Sequence, residues 1–147
     1  MAGTILEKEN LSAVIYRRMQ AHQLRPQDIK QNNACQVVYN RGEYCCFHCH
    51  RTWMSNFSWI RVNLKDQRFE YRWKMKCQDC LALNEPKFTI PQFEELADMA
   101  ICWYKGEDYT FPRTKTAAYR QFRRPHLPIL CEKCGWGATE CWRYVYQ

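Results

Sequence analysis

Three Cys-x-x-Cys pairs, Cys46/Cys49, Cys77/Cys80 and Cys131/Cys134, constrain this chain more than any other feature. Two thiolates three residues apart on a tight turn reach one zinc ion at about 2.3 Å, and a second pair from elsewhere completes a tetrahedron. At 147 residues the chain is near the size where such staples supplement a modest core. The rival use of ten cysteines is disulfides, which require an oxidising compartment. The first thirty residues carry Glu7, Lys8, Glu9, Arg17, Arg18, Arg25 and Lys30, so they lack the apolar core of a secretory signal. No run approaches the roughly 18 apolar residues of a membrane span, and the chain ends in "CWRYVYQ" without a hydrophobic tail. The expectation is a soluble cytoplasmic protein with reduced thiols, in which close cysteine pairs hold metal.

Six ligands do not fill a whole number of four-coordinate sites. His126, in "RPHLPILCEKC", and Cys141, seven residues past Cys134, supply the remainder. Eight ligands make two closed zinc sites: Cys46, Cys49, Cys77 and Cys80 in one, His126, Cys131, Cys134 and Cys141 in the other. An interleaved pairing satisfies the spacing as well. His48 and His50 flank Cys49 as substitute ligands, while Cys35, Cys45 and Cys102 read as small core residues or free thiols. A catalytic zinc keeps an open position with a proton-handling group nearby. Closed thiolate-rich sites, without the deaminase His-x-Glu and Pro-Cys-x-x-Cys arrangement, point to structure and not to an enzyme.

Periodicity supplies an α+β architecture. Thr4 to Glu7 has the form of a capping box, and Leu11, Val14, Ile15 and Met19 recur at helical spacing, predicting a helix from about Ile5 to His22. From Glu43 to Lys76 the period is two. Residues 57–64, the polar turn Lys65-Asp66-Gln67 and the run "RFEYRWKMKCQDC" predict a hairpin whose second strand buries Phe69, Tyr71, Trp73 and Met75. Thr89-Ile-Pro-Gln92 resembles a capping box, and Phe93, Leu96, Ala97, Ala100, Ile101 and Tyr104 predict a helix ending at Gly106 and packing on the sheet. Residues 110–130 read as a long loop or irregular strand, and the tail as a short final strand. The whole is a small zinc-stapled antiparallel sheet with one packed helix after the second Cys-x-x-Cys. An N-terminal helical segment, 1–42, precedes the zinc-binding domain, 43–147.

Formal charge is +7, unevenly placed. Arg68, Arg72, Lys74 and Lys76 alternate with the apolar residues of the predicted strand. Between Tyr109 and Leu130 lie Arg113, Lys115, Arg120, Arg123 and Arg124 and no acid. Such a surface suits phosphates, with Tyr119 or Phe122 available to stack on unpaired bases. It is also what a plainly solvated strand face looks like.

The stretches "YCCFHCHRTWMS", "RWKMKCQDC" and "RPHLPILCEKC" resemble the three-CxxC zinc-binding family over about Glu43 to Cys141. That family includes receptor-transporting proteins, zygote arrest proteins and small fungal proteins of unassigned role. The resemblance implies a zinc-stapled, mostly antiparallel sheet with eight metal ligands. The stretch "FEELADMAICWYKGE" is similar to the receptor-transporting members, which assist membrane receptors to the cell surface and usually carry a C-terminal anchor, missing here. The end of the chain, from Arg124-Pro-His126 to Cys141, looks more like the zygote arrest proteins, which are soluble and bind messenger RNA. The extra cysteine cluster those proteins place between the second and third pairs is absent, and Cys102 does not replace it.

Two functions follow. One is a non-catalytic zinc module that binds single-stranded RNA in messenger RNA regulation. The other is a cytosolic adaptor or chaperone that grips a membrane receptor or another protein through the N-terminal helix or exposed aromatic residues.

Overall fold

The computed structural model describes residues 2–110 and 131–133, with side chains from residue 11 onward. In chain order the main elements are helix α1 (Ala2–Ala21), strands β1 (Cys35–Cys45), β2 (Thr52–Asn63) and β3 (Arg68–Arg72), two-residue strands β4 (Met75–Lys76) and β5 (Leu83–Asn84), and helix α2 (Ile90–Tyr104). The fold is α+β. Strands β1, β2 and β3 form an antiparallel sheet in that order, and β4 pairs with β5. The chain divides into two compact units, and each of the three long strands passes from one into the other.

The first unit comprises Met1–Val38, Ile60–Tyr71 and Thr89–Thr110. Leu11, Val14, Ile15 and Met19 form the buried stripe of α1, and Phe93, Leu96, Ala97, Met99, Ala100 and Ile101 that of α2. The two helices pack together, tied by Arg18 Nε to Asp98 Oδ1 at 2.7 Å and by His22 Nε2 to the same oxygen at 3.1 Å. Helix α1 starts at Ala2, so Thr4 lies inside the first turn and is not its cap. It ends in a Schellman-type turn: Gln23, at φ 57°, donates to Gln20 O, and Leu24 donates to Met19 O. Helix α2 begins as the sequence predicts. Thr89 Oγ1 accepts from Gln92 N–H, the Gln92 side chain accepts from Thr89 N–H, and Pro91 needs no hydrogen bond there.

Within this unit Phe69 of β3 rests on Phe93 of α2, ring centroids 4.9 Å apart, so helix and sheet share a core. The β2–β3 turn is held by Asn63, whose side-chain oxygen accepts from the N–H groups of Lys65 and Asp66 while its amide donates to Asp66 and Glu70. That is the predicted hairpin and its polar turn.

The second unit comprises Tyr39–Trp59, Arg72–Phe88 and Phe111–Gln147. Tyr44 stacks on Trp53 at 5.2 Å with the rings 2° from parallel, and its hydroxyl lies 2.9 Å from the buried Ser58 hydroxyl. Gly42 permits this packing, because a Cβ there would sit 2.6 Å from Ser58 Cβ and 2.8 Å from Pro86 Cβ.

Two expectations need correction. Regular strand begins at Cys35, eight residues before the predicted alternation. The run 68–76 is not one strand with a buried aromatic side. Phe69, Tyr71 and Trp73 are half-buried and only Met75 is buried, because β3 ends at Arg72 and β4 pairs with β5. The expected final strand, and the loop spanning 110–130 beyond its first residue, lie outside the described residues.

Candidate metal centre

Two turns of identical hydrogen bonding build the site. After β1, Cys46 N–H donates to Arg51 O at 2.8 Å and His50 N–H returns to Cys46 O at 2.9 Å. Between β4 and β5, Cys77 N–H donates to Ala82 O and Leu81 N–H returns to Cys77 O, both at 2.8 Å. In each, the residue four past the first cysteine takes the left-handed conformation, His50 at φ 63° and Leu81 at φ 62°. Such a knuckle curls two thiols toward one point.

The knuckles face each other. The four sulfur atoms of Cys46, Cys49, Cys77 and Cys80 lie within 4.8 Å of one another. Across the gap, Cys46 Sγ is 3.4 Å from Cys80 Sγ, and Cys49 Sγ is 3.4 Å from Cys77 Sγ. Four sulfurs bound at about 2.3 Å around a tetrahedral ion are about 3.8 Å apart, a spacing between the 3.4 Å of the two close pairs and the 4.8 Å that bounds the set, so the set fits a closed four-thiolate zinc site. The hairpin thus brings the first and second pairs together.

Side chains lock the knuckles together. Asn84, 6% exposed, accepts from Phe47 N–H at 3.1 Å through Oδ1 and donates to Ala82 O at 3.0 Å through Nδ2. Arg51 reaches from the first knuckle to Asp79 Oδ1 at 2.8 Å and Gln78 Oε1 at 3.0 Å. Trp53 Nε1 points at Met75 Sδ, 3.3 Å away. Sequence reasoning found neither Asn84 nor Arg51, since both act only once the knuckles are paired.

Without a cation the thiols do not ionise alike. Burial opposes ionisation of Cys46, but the N–H groups of Cys49 and His48 outweigh it and bring its pKa down to about 6. At Cys49 the Arg51 N–H lowers the pKa, yet the adjoining Cys77 thiol, burial and the other cysteines push it up to about 12. At Cys80 the Ala82 N–H also lowers it, and burial with the Cys46 and Cys77 thiols wins in the upward direction. Such a cluster is a receptor for a cation that accepts four thiolates.

Of the remaining predicted ligands, Cys131 is buried and forms an antiparallel bridge with Met75. Glu132 N–H donates to Lys74 O at 3.0 Å, Lys74 N–H donates to Glu132 Oε1 at 3.1 Å, and Lys133 Nζ lies 4.2 Å from the Trp59 ring centroid. The third pair therefore starts on the free edge of β4. His126, Cys134 and Cys141 lie outside the described residues. One four-sulfur cluster is found among the described residues. His48 and His50 are exposed and not part of it. Cys35 and Cys45 are exposed and Cys102 is half-buried, all as free thiols.

The basic residues fare unevenly. Arg68 pairs with Asp66 at 3.3 Å and Glu70 at 3.7 Å. Arg72 Nη1 donates to Pro86 O at 3.1 Å. Lys74 is half-buried, and Lys76 is exposed with no ion pair among the described residues. Arg113, Lys115, Arg120, Arg123 and Arg124, with Tyr119 and Phe122, lie outside the described residues. No helix among the described residues is long and apolar enough to cross a membrane.

Comparison with known proteins agrees with this chemistry. Searches of curated proteins and of solved structures returned no match. The three-CxxC zinc ribbon, a zinc-binding domain, matches residues 39–137, about two thirds of the chain. Four converging thiols on two like knuckles, inside that match, place the chain in the three-CxxC zinc-ribbon family of zinc-binding domains.

Proposed function

We propose that this chain is a non-catalytic, cytoplasmic zinc module that binds single-stranded RNA. Two ions fold it, the second held by His126, Cys131, Cys134 and Cys141. The observation that carries the reading is the placement of charge on a metal-stapled scaffold. The chain is +7 overall, and five cations with no acid among them lie between Tyr109 and Leu130. Lys74 and Lys76 lead directly into the second knuckle. A zinc site closed by four thiolates has no position for substrate, so its contribution is rigidity: it fixes short strands that could not persist in so small a core.

The test is binding of the zinc-loaded chain to a labelled single-stranded RNA across a salt series. Contact with about four phosphates gives a slope of log affinity on log salt near −3, at about −0.7 per phosphate. Replacement of Lys74 and Lys76, with Arg120, Arg123 and Arg124, by Glu abolishes binding on this reading. Affinity indifferent to salt and to those changes refutes it and favours the adaptor that grips a membrane receptor or another protein.

A further inference from the structure

The third cysteine pair differs from the first two in what stands between its cysteines. Phe47 and His48 in the first pair, and Gln78 and Asp79 in the second, are exposed, whereas Glu132 and Lys133 are half-buried. Glu132 grips the edge of β4 opposite β5 in both directions: its N–H donates to Lys74 O at 3.0 Å, and its Oε1 accepts from Lys74 N–H at 3.1 Å. The carboxylate thereby supplies the acceptor that a continuing strand would offer from its backbone. Lys133 sets its ammonium 4.2 Å from the ring centroid of Trp59 and 6.0 Å from that of Trp73. Trp59 is 2% exposed and its ring lies 4.9 Å from that of Tyr39, so the charge rests on a fixed aromatic wall where cation–π attraction is little weakened by water. Between these holds, Cys131 is buried and bridges to Met75, whose other edge faces Asn84 of β5.

We infer that Glu132 and Lys133 are positioning residues for the second zinc, and that the two ions load in order because both sites share strand β4. This rests on the two-ion part of the reading above. Cys77 and Cys80 lie in the turn that joins β4 to β5, so an ion closing the first site fixes β4. A fixed β4 gives Glu132 its backbone partner. The hold of Glu132 and Lys133 then places Cys131, and brings the adjoining Cys134 near, before the second ion arrives, so less freedom is lost when that ion binds. Such coupling is reciprocal, and an occupied second site tightens the first.

Cobalt(II) titration of the metal-free full chain reads the sites separately, because a four-thiolate site and a site of three thiolates and one imidazole differ in their visible absorption. In the wild type the four-thiolate bands rise first and the mixed-ligand bands follow. Lys133→Met keeps an unbranched stem and removes the charge; affinity in the second phase falls about tenfold, while the first phase changes by less than about threefold. Glu132→Ala, which takes the acceptor from Lys74 N–H, acts in the same direction. Lys133→Arg keeps both phases, since a guanidinium also stacks on tryptophan. Two phases with the second unchanged in Lys133→Met, an equal fall in both phases, or mixed-ligand bands that rise first would overturn the inference and leave the two-ion reading standing. A wild type that takes one cobalt alone overturns both.

Discussion

Asn84→Ala should show how far the zinc site depends on groups that never touch the metal. The side chain is 6% exposed and makes two hydrogen bonds, one closing its own knuckle and one crossing to the other. Each such bond contributes about 1 kcal/mol net, and leaving the Phe47 N–H without its partner adds about 1 kcal/mol, while the Ala82 carbonyl keeps the Cys77 N–H. The sum is about 3 kcal/mol. Because metal binding and folding are one process in small zinc domains, this loss appears in both. At 1.4 kcal/mol per tenfold, zinc affinity falls by roughly two orders of magnitude. That is the upper part of the range seen for residues that orient metal ligands. Competition against a chromophoric chelator measures the affinity, and a thermal melt at fixed free zinc gives the matching loss of stability. Asn84→Asp is the informative partner, since it keeps the acceptor for Phe47 but removes the donor to Ala82 and adds a negative charge beside thiolates. Affinity of Asn84→Ala within threefold of wild type would refute the claim that Asn84 couples the knuckles.

Glycine changes at two places should have opposite signs. Gly42→Ala drives a methyl against the buried Ser58 and Pro86 and costs about 2–3 kcal/mol in urea melts of the zinc-loaded protein; unchanged stability would show that the contact relaxes freely. Leu81→Gly relieves a left-handed leucine at φ 62° whose side chain is mostly in water, and stabilises by about 0.5–1 kcal/mol after the entropy of glycine is counted; destabilisation would mean that the side chain contributes more than the backbone strain costs. Zinc binding should also be steeply pH-dependent. Cys49, with its pKa up at about 12, and Cys80, also raised, both hold protons at pH 7 in the metal-free fold and none as zinc ligands. Binding therefore releases at least two protons, and affinity rises about 100-fold per pH unit near neutrality. Calorimetry in buffers of different ionisation enthalpy counts them, and release of fewer than one would contradict the assignment.

What was legible in the sequence was whatever depends on neighbours along the chain. Thr89 and Gln92 cap α2 through bonds three residues apart, so their spacing predicts the helix start. The cysteine knuckles are equally local, and the polar turn at Lys65 to Gln67 lies close enough to bring Cys46 and Cys77 together. The front of β1 was hidden because Asn40 and Gly42 occupy inward positions that a hydrophobic alternation reserves for apolar side chains. Asn40 is buried, and Gly42 is small because Ser58 and Pro86 lie against it. The break in the run 68–76 was hidden for the opposite reason: its alternation continues through Trp73 although the hydrogen bonds change partner. Trp73 N–H still reaches Trp59 O at 3.0 Å, Lys74 turns to Glu132, and Met75 pairs with Asn84 and Cys131. That switch carries Cys77 to its knuckle. Asn84 and Arg51 gain meaning only from the meeting of two knuckles about thirty residues apart in sequence.

The account stands on Cys46, Cys49, Cys77 and Cys80 sharing one ion. Native mass spectrometry of the full chain counts bound zinc directly, before and after Cys49→Ser with Cys80→Ser, one ligand taken from each knuckle. The predicted result is loss of at least one zinc in the double variant, together with collapse of the folded circular dichroism signal when the remainder is chelated. An unchanged zinc count, with the fold intact, would show that these thiols do not hold a common metal.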